Sequence, residues 1–256
     1  MNDLIYNGKS LNSYGFTIKK DPGKEIAERD IELIDIIGGE GSEINDSEGY
    51  RNVDRVYEIN SFPYWNENKS DNQITKDLTS WLYSQYGDYK ILRDTYNPGY
   101  FCYAIPKIPN LIAFNAKHLY DTTLTFTRKP FWYSDKGQEE IIKEFNDPVS
   151  STTIELLNPE SIESLPLIIV DFSSNTGTFT LTEDGTKWSP LVVDLNVSEI
   201  EIDSAEENIS GGEIDINDMS SCEYFPKLIP GHNLLNFSTE NVLITKIRII
   251  PRWRRL

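Results

Sequence analysis

Two histidines, His118 and His232, bound the nucleophilic chemistry open to this chain. A serine or cysteine nucleophile needs a histidine base within hydrogen-bond reach. Ser10, Ser13, Ser42 and the other serines lack a Gly-x-Ser-x-Gly elbow, and Cys102 in Tyr100-Phe101-Cys102-Tyr103 has the pattern of an aromatic strand interior. No catalytic residue is assigned on these grounds. Metal chemistry has as little support, because there is no C-x-x-C pair and no H-E-x-x-H. Asp203, Glu206, Glu207, Glu213, Asp215 and Asp218 are dense enough to hold a hard cation, but the run lacks the glycine and glutamate of a calcium loop and reads as a solvated acidic loop. Gly38-Gly39-Glu40-Gly41 lacks the Lys-Ser/Thr of a phosphate loop, and Glu40 repels phosphate, so a tight turn or bulge between strands is expected. Neither a metal nor a cofactor is expected.

Paired carboxylates are the remaining catalytic chemistry, since glycosidases work with two. The chain has 41 acidic residues, so no pair stands out, although Trp65, Trp132, Trp188 and Trp253 offer stacking surfaces for sugars. A carbohydrate-binding module or a glycoside hydrolase acting on cell-wall polysaccharide is therefore the alternative function class. The most unusual local feature is Ile247-Arg248-Ile249-Ile250-Pro251-Arg252-Trp253-Arg254-Arg255. Arginine and tryptophan are favoured at protein interfaces, so Arg252, Trp253, Arg254 and Arg255 are candidate interface residues, a docking tail for an acidic surface.

These residues need strands to position them. Apolar and polar residues alternate in 123–127, 178–182, 199–203 and 213–217, the signature of strands with one face in water. Turn signals such as Asn97-Pro98-Gly99, Glu183-Asp184-Gly185 and Gly211-Gly212 punctuate them at short intervals, which argues for antiparallel sheets packed as a sandwich. One segment has another period: Ile74, Leu78, Trp81 and Leu82 line one helical stripe, and Ser70 with Gln73 has capping-box spacing. A helix over about 72–86, closed by Gly87, is expected to lay the Trp81 stripe on a sheet. Residues 138–145 fit neither a helix nor a strand cleanly. A boundary is expected after Phe131-Trp132-Tyr133, where a polar run begins, giving domains 1–136 and 137–256.

Composition narrows the partners. Hydrophobic residues at 38% and aromatics at 12% of 256 residues describe a folded chain, not a fibrous or disordered one. Lys+Arg 24 against Asp+Glu 41 leave a net −17, which repels phosphate backbones and anionic lipids, so neither nucleic acid nor a membrane is an expected partner. Cys102 and Cys222 are too few for a disulfide scaffold and are read as reduced thiols. The segment 1–9 lacks a basic-then-apolar leader, and apolar runs such as Leu167–Val170 are far too short to span a membrane, so synthesis and assembly in a cytoplasm are expected.

The order of these features resembles a known family. Leu4-Ile5-Tyr6-Asn7-Gly8-Lys9-Ser10, Tyr14-Gly15-Phe16, the acidic strand into Gly38-Gly39-Glu40-Gly41, the helix from Ile74 to Leu82, and Lys129-Pro130-Phe131-Trp132-Tyr133 are similar to the first domain of siphophage distal tail (Dit) proteins. Asn158-Pro159, Leu165 to Val170, Leu191-Val192-Val193-Asp194 and Phe225-Pro226-Lys227-Leu228-Ile229-Pro230-Gly231-His232-Asn233 resemble the second. The family often carries Pro-Gly where this chain has Gly38-Gly39.

The resemblance implies a mainly β, two-domain hub: a β-sandwich-like, ring-forming N-terminal domain with one α-helix, and a C-terminal galectin-like β-sandwich. It implies a homo-hexamer in the virion tail tip or baseplate. That ring joins the tail tube protein to the tail-associated fibre or lysin protein and anchors peripheral baseplate or receptor-binding proteins. No catalytic residue carries over. A galectin-like domain raises the question of sugar, for which Trp188 and His232 are the candidate contacts.

Overall fold

Alternation of β-branched and aromatic residues with polar ones becomes, in three dimensions, a mainly β chain with one α-helix among the described residues. The structure, a computed structural model, describes residues 2–37, 40–62, 69–83, 87–107, 113–115, 119–183, 191–211, 214–215, 220–221 and 224–256. The chain divides into two compact units, residues 1–132 with Leu256 and Tyr133–Arg255. Among the described residues no helix is long and apolar enough to cross a membrane.

The first unit contains β1 (Leu4–Tyr6), β2 (Lys9–Ser10), β3 (Phe16–Ile18), β4 (Arg29–Asp35), β5 (Ser42–Tyr50) and β6 (Val53–Ser61). These are followed by α1 (Asp71–Leu82), β7 (Lys90–Asp94), β8 (Tyr100–Pro106), β9 (Ala113–Asn115) and β10 (Leu119–Arg128). Antiparallel pairing gives a curled sheet in the order β2-β1-β7-β8-β10-β6-β3, while β4 and β5 form a separate two-stranded ribbon. Strand parity selects the core: Leu4, Tyr6, Leu92, Cys102, Leu124 and Phe126 face inward. Onto that face α1 lays Ile74, Leu78, Trp81 and Leu82. Trp81 stacks on Tyr14 at 4.9 Å and donates its indole N–H to the Tyr6 carbonyl at 3.1 Å, so the largest apolar side chain there leaves no buried donor unpaired.

The helix begins where the capping signal placed it, since the Ser70 hydroxyl accepts from the Gln73 amide. The reciprocal half of a capping box is absent, because the Gln73 carboxamide donates to Asp77 instead. The helix ends at Leu82, short of the expected 86, with the Tyr83 amide donating back to Thr79 and the Tyr83 hydroxyl held by the Lys107 carbonyl. Residues 84–86 lie outside the described residues.

Strand β11 (Trp132–Ser134) runs across the boundary in the chain, and the second unit is built from β12 (Ile141–Val149), β13 (Ser151–Asn158), β14 (Leu167–Phe172), β15 (Gly177–Glu183), β16 (Leu191–Leu195) and β17 (Glu199–Asp203). It continues with β18 (Asn208–Gly211), β19 (Ile214–Asp215), β20 (Ser220–Ser221), β21 (Gly231–Glu240), β22 (Ile244–Ile250) and β23 (Arg254–Arg255). Sheets β12-β22-β14-β17-β18-β19 and β13-β21-β15-β16-β20 share one core, in which Ile168, Val170, Ile200 and Ile247 of the first sheet join Phe179, Leu181, Val193 and Phe237 of the second. The segment 138–145 resolves into a short 3-10 turn, Lys136–Gln138, and the start of edge strand β12.

Cys102 is fully buried in β8, and burial pushes its thiol up to about 12. Iodoacetamide at pH 8 is expected to leave Cys102 unmodified in the folded protein and to label it after unfolding in urea, read by peptide mass mapping; labelling at equal rates in both states would contradict the buried placement.

Candidate functional site: a projecting ribbon and its anchor

The ribbon β4–β5 is assembled from residues that alternate as a half-buried strand should, yet nothing buries them. Register pairs Leu33 with Ile44, Ile31 with Asp46, and Ile34 with Glu43. One face therefore carries Ile31, Leu33 and Ile44, and the other Ile34 and Ile36 beside Glu32 and Glu43. Leu33 is 62% exposed, Ile44 68% and Ile37, next to the turn, 102%. Both faces are open, and a two-stranded ribbon alone in water is marginal. Gly41, at φ +90°, occupies the connecting loop as the expected turn glycine; Gly38 and Gly39 lie outside the described residues.

Its base, by contrast, is held by charged groups inside the first unit. Arg55 projects from β6 into the core, 2% exposed, with Nε donating to Asp94 at 3.0 Å and to the Tyr57 hydroxyl at 2.7 Å. The Tyr57 hydroxyl donates in turn to Asp94 at 2.7 Å, and burial followed by the Asp94 charge raises Tyr57 well above the ordinary tyrosine range. The Arg55 Nη1 reaches the segment that leads into the ribbon, donating to the Gly23 carbonyl at 3.0 Å and the Glu25 carboxylate at 2.7 Å. Arg128 from β10 donates to the Glu25 carbonyl at 2.8 Å, and both guanidinium groups lie over Trp132, at 5.2 and 5.4 Å. Burial lowers Arg128, whose hydrogen bonds go to carbonyls rather than to a carboxylate. At the other side of the base the Arg51 amide donates to the Glu28 carbonyl, and Tyr50 packs edge-on against Phe131 at 5.5 Å.

The C-terminal arginines are placed otherwise than as an extended docking tail. Arg252 makes a double hydrogen bond to Asp203 of the same unit, at 2.6 and 2.8 Å, from a backbone at φ +55°. Its amide donates to Gly137, where an added Cβ meets the Trp253 backbone. Trp253 is 6% exposed and belongs to the core of the second unit. Arg254 is buried and donates to the Glu163 carbonyl at 2.7 Å, and Arg255 lies beside it in β23. The acidic surface this segment meets is thus its own unit's. Burial pushes the Asp203 carboxyl up, but the Arg252 fork and the amides of Ala205 and Glu206 outweigh it and hold Asp203 below the usual carboxylate range.

His232 is exposed on the outer side of β21 and bonds Glu155 at 2.7 Å. Trp188 lies outside the described residues, as do His118, Cys222 and most of the acidic run beyond Gly211, so no sugar site is brought together among the described residues. Asp171 and Glu199 both pair with Arg248, at 3.1 and 2.5 Å, and burial, with Glu199 close by, raises the Asp171 carboxyl. Among the described residues no cluster of three or more His, Cys, Asp or Glu side chains has a metal-binding arrangement.

Removal of Asp94 leaves Arg55 charged and buried, so Asp94→Ala is expected to cost about 3–5 kcal/mol in denaturant unfolding. For the Asp203–Arg252 pair, the lowered carboxyl contributes stability that is present above the ordinary carboxylate value and lost as pH falls through the folded value. Wild type is therefore expected to exceed Arg252→Met in thermal midpoint at pH 7, with the gap shrinking below about pH 4; a gap that persists at pH 2 contradicts the pairing.

No protein-family model matches the chain, and no curated protein is similar to it in sequence. Among solved structures, the SPP1 Dit (gp 19.1) protein, described as a paradigm of the hub adsorption apparatus in phages infecting Gram-positive bacteria, superposes with TM-score 0.69 and 15% identity over 97% of this chain and 98% of that chain. The mosquito-larvicidal Cry4Aa toxin from Bacillus thuringiensis matches at TM-score 0.24 over 60% of this chain and 30% of that one, at 14% identity, too little for any shared fold to follow. The mainly β chain therefore has a Dit-like fold from one end of the described residues to the other.

Proposed function

We propose that this protein is a structural hub of a siphophage tail tip. Six copies form a ring that joins the tail tube protein to the tail-associated fibre or lysin protein and anchors peripheral receptor-binding proteins. The first unit makes the ring, the galectin-like second unit faces outward, and assembly takes place in the host cytoplasm before the virion leaves. The observation that carries the reading is the ribbon β4–β5, with aliphatic residues open on both faces and a base fixed by Arg55 and Arg128. A strand pair so exposed is stable when another chain covers it, and the Dit-like fold over 97% of the chain supports a hub as the context in which it is covered. Offering one patch to a different patch on the next copy generates a ring where the rotation closes after a whole number of copies.

Light scattering across a concentration series, with negative-stain imaging, is expected to show annuli of about six subunits. Ile34→Asp and Ile36→Asp are expected to reduce the chain to monomers while shifting unfolding by no more than about 0.5 kcal/mol, the range of surface substitutions. A wild type that is monomeric at every concentration contradicts the ring.

A further inference from the structure

The first unit has a second uncovered surface, opposite the helix. Parity places Ile5, Arg93, Ile91 and Tyr103 together on the outer side of β1, β7 and β8, since Ile5 pairs with Arg93 and Ile91 with Tyr103. With Tyr89 and Lys90 they line an open groove of about 370 Å³. Its floor is apolar, with Ile5 37% and Ile91 41% exposed. Its rim is cationic: Lys129 lies 5.2 Å over Tyr89 and 5.8 Å over Tyr103, and Arg93 lies 5.0 Å over Phe101. Lys90 completes the rim, with the exposed Asp88 carboxylate 3.5 Å from its ammonium. Such a gathering of cations is unusual in a chain with net charge −17.

The ribbon has the opposite character. From Arg29 to Tyr50 it holds seven acidic residues and one arginine. On the Ile34–Ile36 face, Glu32 and Glu43 flank the aliphatic side chains and have no cationic partner among the described residues. An aliphatic strip edged with carboxylates matches an apolar floor edged with Lys90, Arg93 and Lys129 in both chemistry and sign. We propose that the groove of one copy receives the Ile34–Ile36 face of the ribbon of the next. The proposal rests on the ring reading and names the surface that accepts the ribbon. Each contact is head-to-tail, and it sets opposite charges against each other where six like-charged copies would otherwise repel.

The test uses the full chain in sedimentation velocity, with circular dichroism to establish that each variant is folded. Lys90→Glu with Arg93→Glu reverses the groove, and Glu32→Lys with Glu43→Lys reverses the ribbon. Each pair alone is expected to weaken association at least about tenfold. Combining all four substitutions in one chain, or mixing the two double variants, is expected to restore it. A folded groove variant that assembles like the wild type overturns the groove as acceptor and leaves the ring standing. Loss in both double variants without restoration overturns the charge pairing. A wild type that never associates removes the ring and the docking together.

Discussion

A guanidinium taken out of water is the constraint around which the first unit is built. Burial of Arg55 is tolerable because Asp94, the Tyr57 hydroxyl, the Glu25 carboxylate and the Gly23 carbonyl each take one of its donors or its charge. Those partners come from β6, β7 and the coil ahead of β4, so satisfying one side chain fixes three parts of the chain at once. Hydrophobic residues of the same volume give no such directional demand. The cost of desolvation is exchanged for a defined exit direction of the ribbon.

The ribbon beyond that anchor is a deliberate exception to the burial rule. Exposed edge strands and apolar ribbons invite indiscriminate pairing, and natural proteins blunt them with charge. Here Glu32, Asp35, Glu43 and Asp46 alternate with Ile31, Leu33, Ile34 and Ile44, so neither face is a continuous aliphatic surface. The same carboxylates that discourage wrong pairings give a right partner something to recognise.

Local pattern made much of this fold legible. The alternations at 123–127, 178–182 and 199–203 fall in β10, β15 and β17, and the Ile74-Leu78-Trp81-Leu82 stripe forms the buried face of α1. Its limits are instructive. Arg55 and Arg128 occupy strand positions that a polar residue ordinarily spends in water; only Asp94, 39 residues from Arg55, and Trp132 reveal why they point inward. The arginines at 252–255 resemble a surface tail for the same reason, because the Asp203 that binds Arg252 is 49 residues away. Ile31 to Ile37 carries the pattern of a half-buried strand, and whether the apolar side is covered is a tertiary property. Dense arginine beside tryptophan at 252–255 suggests an interface, yet Trp253 joins the core of the second unit.

The second unit is closed by its own extremities. Strand β23 pairs with β11, the Ser134 amide donates to the Trp253 carbonyl, and β12 pairs with β22, so the first strands of the unit find their partners about a hundred residues later. During synthesis strands β1 to β10 are all made once Arg128 is added, and they are free to pair while the rest is being made. The sandwich has no such freedom: until residues 244–255 leave the ribosome, β12 and β14 lack the strand between them and their apolar faces wait unpaired. The ribbon and strands β1 to β10 are therefore complete before the sandwich can close.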